Sequence, residues 1–338
     1  MLTLENKKKI IFYSYLILLY FFFLNIDKSF SPDYIAYFKR GHYSNWYLKN
    51  EYHYGFIFNL LLNLLWSSKL SYHGIVNIIY SISFILFVFS IYNFSKYYAF
   101  FQNKKFNIIF FLFLIYSILI VFEFFIIRIR SGLSISLILL SFSFLLNKKK
   151  FLYLVLLIIS FSVHIETTIC LTYVSSLLFF LNYIGIKNKN IKEIFIFVTI
   201  PALIFLLSFF LNIFSLRNNV GILVEKPLNI YRSLLYIFPL ILFILYNNQK
   251  KFAFIENCSF LLKYIKCISF FMFTIFVSLF TPISQYAGED IHRVFSIFTL
   301  PLIFLIMSKE IDNFLLIIFS YIILINFVLF FKNFTYLI

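Results

Sequence analysis

The chain has 338 residues, of which 62% are hydrophobic and 12% are charged, and its mean hydropathy is +0.95. This composition excludes a soluble globular protein and predicts a polytopic membrane protein built from helices. The formal net charge of +16 comes mainly from lysines beside apolar runs, which is typical of membrane topology, and we expect no nucleic-acid partner. The three cysteines show no ligand spacing, so we expect neither a disulfide nor a metal site.

The N-terminus has a basic start followed by an apolar run about as long as a bilayer is thick. No small-residue cleavage site follows, so we interpret this segment as an uncleaved first span. Further long apolar runs cover 72–94, 106–127, 131–146, 150–163, 166–183, 194–214, 231–247, 264–281, 293–307 and 311–331, with a shorter run at 54–66. We therefore predict a single integral membrane domain, 1–338, with about 11 transmembrane helices.

The lysines orient the predicted spans, because cytoplasmic loops retain lysine more readily than exported loops. If 54–66 is an interfacial or re-entrant segment, 17 of the 23 lysines are cytoplasmic, as is the N-terminus. If 54–66 spans the membrane, every later loop inverts and the large lysine clusters become external. The lysine distribution favours the first arrangement, in which 27–71 is an exported loop.

The same topology places all six arginines at or near the outer face: Arg40, Arg128, Arg130, Arg217, Arg232 and Arg293. A guanidinium group is always charged and presents a planar fork to phosphate or carboxylate. The sorting of arginine from lysine therefore indicates an anionic substrate at the outer membrane boundary. The alternative is that each arginine extends to the lipid headgroups.

The exported loop begins with a helix-start pattern, Ser31 followed by Pro32 and Asp33. Asp33 and Tyr37 share one face of the predicted helix and Tyr34 lies close by. Glu51 follows further along the same loop. The tyrosines also suit an interfacial aromatic anchor, which leaves the carboxylates unexplained.

Further polar residues interrupt apolar sequence at the predicted outer side. Glu123, Arg128 and Arg130 lie in "EFFIIRIRSGLSIS", where the arginines precede a predicted helix start and Glu123 could hold one of them, or form a purely structural ion pair. His164 lies in "FSVHIETT" and is either a structural histidine or a proton acceptor. Tyr286 and Arg293 belong to "PISQYAGEDIHRVF", which a solvated loop would also explain.

Several motifs together resemble the EpsG family of Wzy-like polymerases of polysaccharide repeat units. They are "DYIAY", the acid of "NEYHYGF", an R-x-G-L helix start at Arg130 and an F-x-x-H element ending at His164, mostly within the first 170 residues. The sequence departs from the expected small-residue pattern at Ser134 and after His164. The resemblance implies a GT-C-like, metal-independent glycosyltransferase without a cofactor, in the bacterial cytoplasmic membrane with its active site facing outward.

The resemblance also implies partners and residue roles. The substrate would be an undecaprenyl-diphosphate-linked oligosaccharide, with membrane lipids around the protein and a chain-length regulator and a flippase as further partners. The implied catalytic residues are His164, Asp33 and Glu51. The implied substrate-binding residues are Arg130, Tyr34 and Tyr37. Charged and aromatic residues at the predicted outer boundary are further substrate-binding candidates, independently of the resemblance: Arg128, Arg293, Glu123 and Tyr286.

Other functions fit parts of this pattern. Another polyprenyl-phosphate-dependent GT-C glycosyltransferase would share the outward arginines. A flippase should show charged residues along an inward path, and a membrane O-acyltransferase should show a cytoplasmic histidine or arginine, which the predicted topology lacks. Neither the stereochemistry of transfer nor the identity of the catalytic base follows from the sequence.

Overall fold

The computed structural model describes residues 3–34, 55–164 and 313–335, with the single positions 185 and 238. The chain divides into two units, Met1–Ile169 with Ile303–Ile338 and Cys170–Leu302, and the described helices belong to the first. These helices are α1 (Leu4–Leu24), α2 (Pro32–Tyr34), α3 (Phe56–Ser67), α4 (Tyr72–Tyr97), α5 (Phe106–Ile120), α6 (Ile129–Leu146), α7 (Lys150–Val163) and α8 (Asn313–Thr335). A 3₁₀ turn covers Phe100–Gln102, and a π-helix, Val121–Ile127, continues α5.

The described residues contain helices and no strand, which confirms the predicted all-helical class for this part of the chain. Within it, three helices are long and apolar enough to cross a membrane, Tyr72–Tyr97, Phe106–Ile127 and Ile129–Leu146. Large apolar side chains such as Leu18, at 68% exposure, and Phe111, at 60%, lie on the outside of the unit, as expected for residues that contact lipid. The predicted spans 166–183, 194–214, 231–247, 264–281 and 293–307 lie outside the described residues.

Helix α6 is the centre of the described unit. Every residue from Ile129 to Ser143 is buried, and the helix packs against α4, α7 and the π-helix. The Oγ atoms of Ser134 and Ser160 lie 3.0 Å apart, and Ser160 also donates to the carbonyl oxygen of Ser134 at 2.8 Å. Small side chains at this crossing allow the backbones of α6 and α7 to approach closely.

Lysines mark one end of the helix group, which we call the lysine end. Lys8 Nζ donates to the carbonyl oxygens of Phe101 and Asn103 at 3.2 and 3.4 Å. Lys105 Nζ donates to Asn313 Oδ1 at 2.7 Å. The starts of α1, α5 and α8 and the end of α4 therefore lie together.

The opposite end, which we call the arginine end, carries the predicted site residues. Asn93 Nδ2 donates to Ser143 Oγ at 3.2 Å, so the end of α6 lies beside the end of α4 at the lysine end. Helix α6 therefore begins at the arginine end, next to Arg128, and α7 runs back to finish there at His164. The chain therefore reverses direction between α6 and α7.

Helix α3 lies at the arginine end and is too short to cross a bilayer. Its 12 residues measure about 18 Å, against the roughly 30 Å of a hydrocarbon core. It begins beside Val163, the last residue of α7, and Trp66 near its end packs on Tyr72, at the start of α4, with ring centroids 5.2 Å apart. The position of 54–66 relative to the membrane remains a prediction.

Candidate functional site

A π-helix brings Glu123 and Arg128 together. The backbone N–H of Arg128 donates to the carbonyl oxygen of Glu123, five residues back, at 3.2 Å. Arg128 Nη2 lies 2.9 Å from Glu123 Oε1, and both side chains are about one-fifth exposed, at 22% and 19%. The ion pair considered from the sequence is therefore present and involves Arg128. Short π segments inside α-helices are frequent at functional sites because they change the side-chain spacing.

Gly132 allows the first turn of α6 to press against the π-helix. A Cβ atom at this position would lie 2.4 Å from the carbonyl oxygen of Phe124 and 2.6 Å from Cδ1 of Phe125. The N–H of Gly132 donates to the carbonyl oxygen of Arg128 at 2.9 Å, which closes the turn. Glycine at this point of the R-x-G-L motif is therefore required by a close backbone approach.

Arg130 lies inside this first turn and is 9% exposed. The sequence prediction placed both arginines ahead of a helix that starts near Ser131, whereas α6 already begins at Ile129. The physical reason is that the π-helix ends at Ile127 and only Arg128, with φ −122° and ψ 69°, separates it from α6. Arg128 is thus the junction residue and Arg130 is a helical residue next to the core.

Ser31 attaches the segment that follows α1 to the π-helix. Its Oγ donates to the carbonyl oxygen of Ile127 at 2.9 Å and accepts the N–H of Tyr34 at 3.3 Å. The second contact confirms the predicted helix start at Ser31 and Pro32. The first contact was not predicted, and it fixes the segment that carries Asp33 beside the start of α6.

Tyr34 inserts into an apolar cluster that joins five helices, α2, α3, α4, α6 and α7. Tyr34 is 5% exposed, and the same cluster contains Ile129 and Leu133 of α6 and Val163 of α7. These residues lie within a few positions of the predicted site residues Asp33, Arg130 and His164. The cluster therefore brings the three predicted motifs to one end of the fold.

His164 ends α7 in a buried position. It is 7% exposed, its backbone is extended, and its N–H donates to the carbonyl oxygen of Ser160 at 3.0 Å. Gly55, which precedes α3, packs against the same helix end, since a Cβ on it would clash with the carbonyl oxygen of Val163, at 2.2 Å. The end of α7 is thus fixed by α3 on one side and by the apolar cluster on the other.

Two polar residues at the arginine end were not singled out from the sequence. Lys28 is 2% exposed, and its Nζ donates to the carbonyl oxygens of Leu24 and Ile26 and to Asn77 Oδ1 at 3.0, 3.2 and 2.9 Å. Burial lowers the pKa of Lys28 to about 8. The other residue is His73 in the first turn of α4. No local motif marks either residue, since the bond from Lys28 to Asn77 and the contacts of His73 with Asp27 and Tyr34 join distant parts of the chain.

The remaining predicted residues, Tyr37, Glu51, Tyr286 and Arg293, lie outside the described residues. Within the described ranges, no group of three His, Cys, Asp or Glu side chains could hold a metal ion. Comparison with protein-family models, curated proteins and solved structures gives no match. The resemblance to the EpsG family therefore rests on the motifs themselves.

Proposed function

We propose that this chain is a glycosyltransferase of the Wzy-like kind, which joins undecaprenyl-diphosphate-linked repeat units on the outer face of the bacterial cytoplasmic membrane. The observation that supports it most is the meeting of the Asp33, Arg130 and His164 segments through Tyr34, Ile129, Leu133 and Val163. These segments carry the motifs of the resemblance and are far apart in sequence. Packing of the helices against one another would not by itself require polar motifs where these three segments meet.

The two arginines suit the leaving group of this reaction. As the glycosidic bond of the donor breaks, negative charge grows on the diphosphate oxygen, and preorganised donors stabilise that charge. Arg130 is mostly buried, and a guanidinium in such surroundings acts on an anion more strongly than it would in water. Glu123 holds Arg128 in one orientation, which favours a preformed binding site over a flexible surface charge.

Apart from Lys28 and Lys69, which lie at the arginine end, the distribution of charges supports the outward orientation. Lys8 and Lys105 make their contacts at one end of the unit, while Arg128 and Arg130 lie at the other. In the proposed orientation the lysine end is cytoplasmic, in accord with the general excess of lysine in cytoplasmic loops. The arginine end then faces the compartment in which lipid-linked repeat units are joined.

Deletion of the gene tests the proposal directly. Cells without the chain should still make and export single repeat units but should lose the ladder of longer glycans on a size-separating gel. An unchanged ladder would contradict the proposal. A ladder of normal length whose glycans lack an acyl group would indicate an acyltransferase. Repeat units retained inside the cell would indicate a flippase.

A further inference from the structure

His73 lies between a carboxylate and a phenol at the arginine end. Its Nδ1 lies 4.0 Å from Asp27 Oδ1, and its Nε2 lies 3.5 Å from the hydroxyl oxygen of Tyr34. The Tyr34 and His73 rings also pack, with centroids 5.4 Å apart. Asp27 follows the end of α1, Tyr34 belongs to α2 and His73 to α4, so the arrangement exists only in the folded chain.

Asp27 is held as a carboxylate that faces the imidazole. Ser29 donates its N–H to Asp27 Oδ1 at 2.9 Å and its hydroxyl to Oδ2 at 2.7 Å, and these bonds lower the pKa of Asp27. A carboxylate near Nδ1 favours the tautomer with its proton on that nitrogen, which leaves Nε2 as a proton acceptor. The Tyr34 hydroxyl is on the Nε2 side, and an acceptor hydroxyl that approaches from there would replace it as the donor to the single lone pair of Nε2.

The surrounding fold holds Asp27, Tyr34 and His73 close together. Lys28, next to Asp27, bonds Asn77, one helical turn after His73 on α4. Ser31 bonds the carbonyl oxygen of Ile127, and Tyr34 is buried in the apolar cluster. The segment from Asp27 to Tyr34 is thus fixed to α4 and to the π-helix at separate points.

His73 is also accessible, unlike His164. The side chains of His73 and Asp27 are 61% and 68% exposed, whereas His164 as a whole is 7% exposed. An acceptor sugar can reach an exposed imidazole without a rearrangement of the helices. Asp33 is the chain neighbour of Tyr34, so an acceptor at His73 would lie next to the proposed site.

We propose that His73 is the general base of the transfer reaction, with Asp27 and Tyr34 as the residues that position its ring. This inference rests on the proposed function. In the step, Nε2 takes the proton of the acceptor hydroxyl while its oxygen forms a bond to the anomeric carbon of the donor. The bond from that carbon to the diphosphate oxygen breaks, and undecaprenyl diphosphate leaves with the electron pair. The imidazolium then returns its proton to water.

The test is a rate measurement on membranes that carry the full chain with the substitution His73→Gln. Glutamine keeps a polar group near Tyr34 but is not a base, and at a side chain that is 61% exposed the replacement removes little packing beyond the contact with the Tyr34 ring. The substrate is the lipid-linked repeat unit extracted from the deletion strain. We expect kcat to fall about 100-fold or more with KM unchanged, which is the usual contribution of a general base.

Matched variants separate the outcomes. Lys69→Gln, in the exposed turn before α4, should keep the wild-type rate, and Asp27→Asn should lower kcat less than His73→Gln does. If deletion abolishes polymer while His73→Gln stays within about twofold of wild type, the inference is overturned and the proposed function stands. A rise in KM with kcat kept would also overturn it. A polymer ladder that persists after deletion would refute the proposed function itself.

Discussion

Replacement of Gly132 by alanine tests whether the contact between α6 and the π-helix positions the arginines. The added Cβ would lie 2.4 Å from the Phe124 carbonyl oxygen, whereas ordinary contacts begin near 3.4 Å. The first turn of α6 must therefore move by about 1 Å, and Arg130 moves with it. Overpacking of this kind costs about 1–3 kcal/mol, against a gain of about 1 kcal/mol from the higher helix propensity of alanine.

The expected result for Gly132→Ala is a lower apparent melting temperature in detergent and a polymerisation rate reduced about 100-fold, the effect that a 1 Å misplacement can have. The rate is measured on membranes with equal amounts of protein. Gly74→Ala is the matched stability control, because the nearest atom to its Cβ would be Oγ of the Ser71 side chain, at 3.3 Å. If Gly132→Ala melts at or above the wild-type temperature and keeps its rate, the close contact does not position the site.

Substitutions at the arginines, their ion pair and the two ends of the helix group give three more predictions. Arg130→Lys should lose most polymer length, because a point charge replaces a bidentate fork; full-length polymer would contradict its assignment to the diphosphate. Glu123→Gln should lower the free energy of unfolding by about 1.5–3 kcal/mol, a value that solvent screening of the partly exposed pair reduces. Adding Arg128→Gln to the same chain should recover part of this loss in thermal melts, whereas purely additive losses would argue against the ion pair. In intact cells, an impermeant thiol reagent should label Lys69→Cys and spare Lys149→Cys; the reverse pattern would invert the topology.

Composition and local pattern determine the helical membrane class and several helix limits. Long apolar runs must be helical in a bilayer because every backbone polar group needs an internal partner. The start of α2 was predictable from Ser31 and Pro32, because capping is a contact between residues three apart. The end of α7 near His164 was predictable from the end of the apolar run.

Other features depend on contacts between distant residues and are not visible in the sequence. The π-helix before Arg128 arises where α5 must meet α6, a junction that the close approach of Gly132 makes tight. The hydrogen bond from Ser31 to Ile127 spans 96 positions, and no local pattern specifies it. Periodicity determines which face of a helix is apolar, but the packing of several helices decides which polar groups at their ends meet.

The same distinction explains the histidines. His164 stood out because it interrupts an apolar run, and the fold buries it at the end of α7. His73 follows a short apolar helix without a marking motif, yet tertiary contacts place it between Asp27 and Tyr34. Sequence alone therefore determined the class of protein and the motifs to consider. The tertiary structure decided which side chains share a surface, because that depends on how the helix ends are brought together in space.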